Sequence, residues 1–281
     1  MDYKIIIDSC GELTHKMKES GVYVSAPLSM QVDGDTIMDD ETFDQAVFLR
    51  RVAASPECPK SSCPSPEKYM ELYSGKEKRV YVVTLSSELS GSFNSAQLAV
   101  KLWKEEHGGD GRQIHVFNSR SASVGETLIA YKIRECEEQG MTFDETVRKT
   151  EAYIEEQHTY FVLENLDTLR KNGRLTGIKS LVASALNIKP VMGSTPQGTI
   201  CQLGQARGIK RALTKMTEQI VRDGKRTKEK VLAIAHCNCP ERAREVERMI
   251  LDKIHVRDSF IVDTAGISTM YANDGGIIVV L

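Results

Sequence analysis

The sequence predicts an α/β protein: an N-terminal domain with a doubly wound, mostly parallel sheet, followed by a smaller C-terminal α+β domain. Up to about residue 165, short apolar runs alternate with stretches of helical periodicity, which is typical of a parallel sheet with helices on both faces. Beyond that point a strand–turn–strand pattern precedes helices and further strands, which favours a separate α+β unit. The 281 residues fit one large or two ordinary domains, and the change of pattern favours two, which we place at 1–165 and 166–281.

Continuous apolar runs predict the strands of the first domain, because strands covered on both faces contain few polar residues. These runs lie at 4–7, 79–83, 114–117 and 160–163, with shorter strands at 22–24, 28–32 and 36–38. The Asp33-Gly34 pair between the last two is a hairpin-turn signal. Ser9 and Glu12 fit a capping box, which predicts a helix directly after the first strand. Further helical patterns lie at 39–51, 93–103, 123–139 and 142–156.

The second domain is predicted to begin with a short helix at 164–171, which ends at Asn172-Gly173 because glycine suits a left-handed cap. Helix continues at 182–186. Two apolar runs flank the turn residues Pro196-Gln197-Gly198 and predict a hairpin. The remaining elements are helices at 210–223 and 240–254 and strands at 231–235, 260–262 and 277–280.

A hydroxyl-rich loop separates a predicted strand from a predicted helix in the first domain. From Thr84 to Ser95 it reads Thr-Leu-Ser-Ser-Glu-Leu-Ser-Gly-Ser-Phe-Asn-Ser. Ligands of open α/β sheets bind at the carboxyl ends of the strands, and the first N–H groups of a helix attract an anion. The loop is therefore a candidate pocket for a carboxylate or a phosphate. The alternative is structural, with Ser90 or Ser92 serving only as the N-cap of the helix.

A second hydroxyl-rich segment, 60–65, is predicted as a loop that precedes another helix. Ser65 suits the N-cap of that helix and Pro66 suits its first position. Ser61 and Ser62 lie upstream of the cap and have no capping role. They are therefore available for a ligand.

Several short motifs are spread in order over nearly the whole chain. They are Asp8-Ser9, Ser61-Ser62-Cys63-Pro64, Leu85-Ser86-Ser87-Glu88-Leu89-Ser90-Gly91-Ser92, Leu169-Arg170-Lys171-Asn172-Gly173-Arg174-Leu175 and Gly275-Gly276. Together they resemble the DegV family of fatty-acid-binding proteins, which includes the FakB-type carriers. The resemblance implies a DegV-like fold with a long-chain fatty acid bound between the two domains and its tail in an apolar tunnel. It also implies a lipid carrier rather than an enzyme, with no cofactor.

The motifs of the family assign the carboxylate of the fatty acid to particular hydroxyls. Transferred residue by residue, the resemblance implies that Ser62 and Ser90 hold the carboxylate and that Ser61 and Ser92 are secondary donors. Weaker candidates are Ser9, Ser119 and Ser123.

The resemblance also implies a partner, because FakB-type proteins present the bound acid to a separate ATP-dependent kinase that makes an acyl-phosphate. Arg174, together with Arg170, would then contact the phosphate or the kinase. One segment departs from the family, whose carriers often have His-Thr-Gly-Pro-Gly near the C-terminus. This chain has Tyr271-Ala272-Asn273-Asp274-Gly275-Gly276 there. Without that histidine we still expect binding, whereas participation in kinase turnover is a separate question.

Composition and charge restrict the other classes of function. The net charge of −2 provides no overall basic field for nucleic acid. No apolar run approaches the ~18 residues of a membrane span, so we expect no stable membrane insertion. The first predicted strand leaves no room for a signal peptide, and the seven cysteines are scattered. We therefore expect reduced thiols and a cytoplasmic location.

The rival interpretation is an enzyme that acts at the same serine loops, either a small-molecule phosphotransferase or a serine-dependent hydrolase. No histidine lies in either serine motif, and Gly-x-Ser-x-Gly is absent. A P-loop and a dinucleotide-binding fingerprint are absent as well. The one metal-like cluster, His236-Cys237-Asn238-Cys239-Pro240, lacks the second half of a zinc site, so we predict no metal.

Overall fold

The computed structural model describes residues 2–108, 110–175 and 187–281. The strands are β1 (Tyr3–Asp8), β2 (Tyr23–Ala26), β3 (Ser29–Val32), β4 (Asp35–Met38), β5 (Lys60–Ser62), β6 (Arg79–Thr84), β7 (Gln113–Asn118), β8 (Thr159–Val162), β9 (Ile188–Ser194), β10 (Ile200–Arg207), β11 (Val231–His236), β12 (Asp258–Asp263) and β13 (Ile277–Val280). The helices are α1 (His15–Glu19), α2 (Gln45–Ala54), α3 (Pro66–Tyr73), α4 (Ser92–His107), α5 (Val124–Glu138), α6 (Phe143–Glu156), α7 (Asp167–Lys171), α8 (Ile209–Asp223), α9 (Pro240–Leu251) and α10 (Gly266–Ala272). None of these helices combines the length and the apolar composition that a membrane span requires. The helix predicted at 182–186 lies outside the described residues.

Four parallel strands form the first sheet in the order β2-β1-β6-β7. Helices cover both of its faces: Tyr69 of α3 and Trp103 of α4 pack on one side, and Ile133 of α5 and Ile154 of α6 pack on the other. All residues of β1 are buried, as expected for a strand between two layers of helices. This arrangement confirms the predicted doubly wound, parallel sheet.

Six strands form the second sheet in the order β10-β9-β8-β13-β11-β12, in which β11 and β12 are parallel and the other pairs antiparallel. The sequence pattern predicts 160–163 as a strand of the first sheet, and this is wrong, because β8 pairs with β13 and β9. A short apolar run has the same appearance in either sheet, and only its long-range partners distinguish the two. The change of sheet therefore falls before residue 159 rather than at about residue 165.

A third, small antiparallel sheet has the order β4-β3-β5. Asp33 and Gly34 form the turn between β3 and β4 as predicted, both with positive φ. The stretch 60–62, predicted as a loop, is strand β5, in which Ser61 and Ser62 pair with β3. This pairing fixes the backbone of both serines.

Local signals predict one helix start correctly and another wrongly. Ser65 caps α3 as predicted, with its side chain accepting a hydrogen bond from the helix. The capping box at Ser9 and Glu12 is wrong, because α1 begins only at His15. Ser9 Oγ instead accepts a hydrogen bond of 3.0 Å from the backbone N–H of Leu28. Ser9 therefore hydrogen-bonds to a residue distant in sequence, Leu28, and not to the first turn of a helix that follows it.

Candidate functional site

A cavity of about 370 Å³ lies between the first and second sheets, where the loops after β1, β6 and β7 face β8 and β9. Strand β5 and helices α7 and α10 also contribute to its wall. The wall is predominantly apolar and includes Leu28, Leu85, Phe161, Leu163, Leu169 and Ile278. Both sheet units thus enclose one space of the size usual for a small-molecule site.

Two of the predicted hydroxyl stretches meet at this cavity. A Cβ placed on Gly91 would come within 3.2 Å of Cys63 Sγ. Nearby, Ser95 Oγ donates a hydrogen bond of 2.6 Å to the carbonyl oxygen of Pro64. Three of the four predicted carboxylate ligands line the cavity beside this contact, namely Ser61, Ser62 and Ser90.

The hydroxyls of Ser62 and Ser90 are available to a ligand. Ser62 is exposed at the cavity, and no described residue hydrogen-bonds to its Oγ. Ser90 Oγ accepts a hydrogen bond of 3.2 Å from the backbone N–H of Ser92, which leaves its own O–H free to donate. The N-cap of α4 is Gly91, and this helix has no side-chain cap. The prediction that Ser90 or Ser92 is the N-cap residue is therefore wrong, although Ser90 Oγ does accept the first N–H of α4.

Ser92, the fourth predicted ligand, lies behind the loop and not on the cavity wall. Its side chain is fully buried, and its Oγ donates a hydrogen bond of 2.6 Å to Asp8 Oδ2. The hydroxyl of Tyr69 lies 2.7 Å from Ser92 Oγ. This corrects the expectation for Ser92, because its hydroxyl is used inside the protein to hold the loop.

The three weaker candidates are engaged by the protein as well. Ser9 Oγ accepts from a backbone N–H, Ser119 Oγ donates to a backbone carbonyl oxygen, and neither residue lines the cavity. Ser123 does line it, but its Oγ donates a hydrogen bond of 2.8 Å to Glu12 Oε2. The hydroxyls of Ser119 and Ser123 therefore donate within the protein, and Ser9 lies off the cavity wall.

Helix α10 adds Tyr271, which no motif marked as a ligand. Its OH lies 2.8 Å from Ser61 Oγ, and burial raises the pKa of its phenol, so it is a neutral hydrogen-bonding group. The guanidinium carbon of Arg174 lies 5.7 Å from the centre of the tyrosine ring, within cation–π distance. Arg174 Nε also donates a hydrogen bond of 3.1 Å to the carbonyl oxygen of Leu89. Below, the term hydroxyl corner denotes Ser61, Ser62, Ser90 and Tyr271.

The two predicted arginines occupy different places. Arg174 lines the cavity beside the hydroxyl corner. Arg170 lies on the surface of α7, where it pairs with Asp167 at 3.1 Å and its side chain is 59% exposed. Contact of either arginine with a phosphate or a kinase remains a prediction.

Four carboxyl groups are buried behind the cavity wall: Asp8, Glu12, Asp39 and Glu126. Burial raises the pKa of each, to about 7 for Glu12 and to about 6 for Asp39. No described lysine or arginine forms an ion pair with them, and the donors to Asp8, Glu12 and Asp39 are backbone N–H groups and hydroxyls. Acidic groups without a cation are therefore a distinctive feature of this region.

In the described part of the chain, no group of three or more His, Cys, Asp or Glu side chains could hold an ion. In the suspected cluster, the ring Nδ1 of His236 accepts from the N–H of Cys239 at 3.3 Å and faces Asp263 at 3.3 Å. All seven cysteines are free thiols.

Sequence reasoning missed the part of the wall that the second sheet supplies. Thr159, Phe161 and Leu163 alternate along and just beyond β8, and all three line the cavity. The alternation indicates that these residues share one face of the strand. That face lines the cavity only because β8 belongs to the second sheet, which the sequence pattern does not predict. Tyr271 has no local signal at all, because its partner Ser61 is distant in sequence.

The fold and the site define a class: α/β proteins whose two sheet units enclose a largely apolar cavity lined at one corner by hydroxyls. The family model described as "Uncharacterised protein, DegV family" matches residues 2–280. The chain therefore belongs to the DegV family.

Two solved structures and a further sequence relative match the whole chain or nearly all of it. A DegV family protein from Ruminococcus gnavus, refined with vaccenic acid, is 61% identical, covers 100% of both chains and has a TM-score of 0.97. The fatty acid kinase (Fak) B3 protein of Streptococcus pneumoniae, loaded with linoleic acid, is 32% identical over 100% of this chain and 99% of its own, with a TM-score of 0.87. A DegV domain-containing protein of Streptococcus pneumoniae is 33% identical over 280 residues, which is 99% of this chain and 98% of that protein.

Proposed function

We propose that this chain binds a long-chain fatty acid, with the tail in the apolar cavity and the carboxylate at the hydroxyl corner. The observation that supports this most directly is that available hydroxyls of Ser62 and Ser90 lie on the same predominantly apolar cavity. Two solved relatives of similar fold hold vaccenic acid and linoleic acid. On this proposal the chain is a binding protein and not an enzyme.

The energetics favour a long acyl chain. Each buried methylene contributes about 0.8 kcal/mol, so a tail of roughly 14 to 16 methylenes gains about 11 to 13 kcal/mol before other terms. Lost rigid-body freedom and ordering of side chains remove several kcal/mol of that gain. The tail therefore supplies the affinity, while the polar end must at least offset the desolvation of the carboxylate.

Neutral donors can offset that desolvation at the hydroxyl corner. Ser62 and Ser90 would donate directly to the carboxylate, and Ser61 would be held in place by Tyr271. Hydrogen bonds to an ionised acceptor are about twice as strong as those between neutral groups. The start of the 16-residue helix α4, next to Ser90, adds the positive end of its dipole.

We further propose that the protein presents the acid to a separate fatty-acid kinase. Ser62 is exposed, so the head group would be reachable from solvent, and Arg174 would be placed to contact a phosphate. Mixing the loaded protein with a cognate kinase and ATP should yield an acyl-phosphate. If none forms, the protein is confined to binding or storage.

The rival enzymatic interpretation has less support. Among the described residues of the cavity wall there is no histidine that could act as a base for Ser62 or Ser90. It predicts turnover by the isolated protein, which the carrier proposal does not.

Mass spectrometry of the purified protein tests the binding proposal. We expect native spectra and lipid extracts to contain about one long-chain fatty acid per chain, because the buried tail dissociates slowly. Protein that purifies without an acyl chain, and that binds no linoleic acid in a titration, would contradict the proposal.

Tyr271→Phe tests the support that α10 gives to the hydroxyl corner. The variant removes the hydroxyl that bonds Ser61 and keeps the ring beside Arg174. We expect the affinity for linoleic acid to fall about 3- to 10-fold, since one hydrogen bond contributes about 1 kcal/mol. The matched control is Tyr73→Phe, which removes a buried hydroxyl bonded to the Ala96 carbonyl oxygen outside the cavity. Equal losses in titrations of both variants would argue against a role for Tyr271.

A further inference from the structure

Asp8 holds both ends of the serine loop, which we define as residues 85–92. Its Oδ2 accepts hydrogen bonds from the backbone N–H of Leu85 at 2.9 Å and from Ser92 Oγ at 2.6 Å. Leu85 follows β6 directly, and Ser92 is the first residue of α4. Asp8 is fully buried at the end of β1, so its carboxylate fixes the loop from beneath and with it the position of Ser90.

Glu126 lies beside Asp8, and the thiol of Cys10 is a further polar neighbour of its carboxyl. It stands in the first turn of α5 and is fully buried. Neither of its carboxyl oxygens accepts a hydrogen bond from a described donor. Its side chain packs against the turn that follows Asp8, since a Cβ placed on Gly11 would come within 3.0 Å of Glu126 Cβ, and this places the carboxyl where it can hydrogen-bond to Asp8. Two carboxyl groups can form such a bond only when one of them keeps its proton.

The surroundings determine which of the two keeps the proton. Asp8 accepts hydrogen bonds from the N–H groups of Cys10 and Leu85 and from Ser92 Oγ, and these bonds lower a pKa that burial raises. For Glu126, burial and then the charge of Asp8 raise the pKa well above its ordinary value. A fully buried carboxyl to which no described group donates keeps its proton, so Glu126 is the neutral partner and its O–H is available to donate to Asp8.

We propose that Asp8 is a positioning residue for the fatty-acid head group and that the proton of Glu126, donated to Asp8, keeps the serine loop in its binding geometry. This inference rests on the proposed function. Asp8 and Glu126 do not line the cavity, so they act through Ser90. Loss of the proton places two negative charges in contact in the low-dielectric interior, where they repel. The hydrogen bonds to the loop then weaken, and the affinity for the fatty acid falls.

The direction of the pH dependence follows from the raised pKa of Glu126. The neutral form that holds the loop is present at low pH and is lost as the pH rises through the pKa of the folded protein. Affinity should therefore decrease toward alkaline pH. Buried glutamates are known to ionise as high as about pH 8 to 9, which defines the range to examine.

Other ionisable groups face this pair and must be separated from it. Cys10 and Glu12 follow β1, Asp39 follows β4, and the Tyr69 hydroxyl of α3 contacts Ser92. Burial raises the pKa values of Glu12 and Asp39 to about 7 and about 6, so both ionise near neutral pH. Burial also raises the pKa values of the thiol and the phenol, which keeps both neutral.

Glu126→Gln tests the role of the proton directly, because its amide N–H can donate to Asp8 at every pH. We expect the affinity of the wild-type protein for linoleic acid to fall at least about tenfold between about pH 6 and about pH 9.5. The affinity of Glu126→Gln should change less than about threefold over that range. Glu12→Gln should follow the wild-type profile. Comparison at each pH removes the contribution of the ionisation of linoleic acid itself.

A Glu126→Gln profile parallel to that of the wild type, or a flat wild-type profile, would overturn the inference. Absence of binding at every pH in all proteins would overturn the proposed function and this inference together. If Glu126→Gln does not fold, infrared spectroscopy of the wild type decides. We then expect the band of a protonated carboxylic acid to disappear over the pH range in which affinity falls. Its absence, or its loss in a different range, would overturn the inference.

Discussion

Replacing both Ser62 and Ser90 by alanine is expected to lower the affinity for linoleic acid by about a thousandfold, with each single variant losing about 10- to 100-fold. Each substitution removes one hydrogen bond from a serine hydroxyl to the ionised carboxylate, and such a bond contributes about 1.5 to 3 kcal/mol. Each 1.4 kcal/mol corresponds to about a tenfold change in affinity. The measurement is a titration of delipidated protein with linoleic acid at neutral pH.

The fold of the double variant should be unaffected. No described residue hydrogen-bonds to the Ser62 hydroxyl, and Ser90 Oγ accepts only the backbone N–H of Ser92 at the start of α4. Ser65→Ala is the matched control, since it removes the N-cap of α3 outside the cavity. We expect that control to lose about 1 kcal/mol of stability and to keep its affinity. An unchanged affinity in the double variant would show that other groups hold the carboxylate.

Ala122→Phe is expected to block long acyl chains and to spare short ones. Ala122 lies on the cavity wall and packs against the apolar cluster that contains Leu28 and Leu85. A phenylalanine ring that displaces about four methylenes of the tail from the cavity costs about 3 kcal/mol of binding free energy. This loss lowers the affinity for linoleic acid more than about a hundredfold. Octanoic acid, whose shorter tail has fewer methylenes to displace, should lose less affinity than linoleic acid.

The comparison between the two acids separates a blocked cavity from a damaged fold. Leu98→Phe is a suitable control, because Leu98 is 46% exposed on α4 and away from the cavity wall. It should bind both acids as the wild type does. Equal losses for linoleic and octanoic acid in Ala122→Phe would contradict the assignment of the cavity to the tail.

The features that local chemistry determines could be predicted from the sequence. Ser65 caps α3, and Asp33-Gly34 forms the turn of a hairpin, because a hydroxyl before a helix and a pair that tolerates positive φ act within a few residues. The parallel first sheet followed from apolar runs that alternate with helices. The convergence of Ser62 and Ser90 on one cavity followed from the resemblance of their motifs, and both do line it.

The features that long-range contacts determine could not be predicted. Ser92 lies in the same serine-rich loop as Ser90. Only its hydrogen bond to Asp8, at the end of β1, shows that its hydroxyl faces inward. The sheet to which β8 belongs depends on β9 and β13, which follow it in the chain. Glu126 in a first helical turn suggests a favourable dipole interaction, whereas the structure buries it against another acid.

Asp39 joins the small sheet to the C-terminal part of the chain. It follows β4, and its carboxylate accepts hydrogen bonds from the N–H groups of Gly266 and Ile267 at 2.6 and 2.9 Å, at the start of α10. Helix α10 in turn contains Tyr271, which reaches back to Ser61 on β5. Heat or denaturant that melts the small sheet must therefore release α10 as well. The small sheet and α10 should therefore unfold cooperatively. A fatty acid bound beside Ser61 should raise the melting temperature of both elements together.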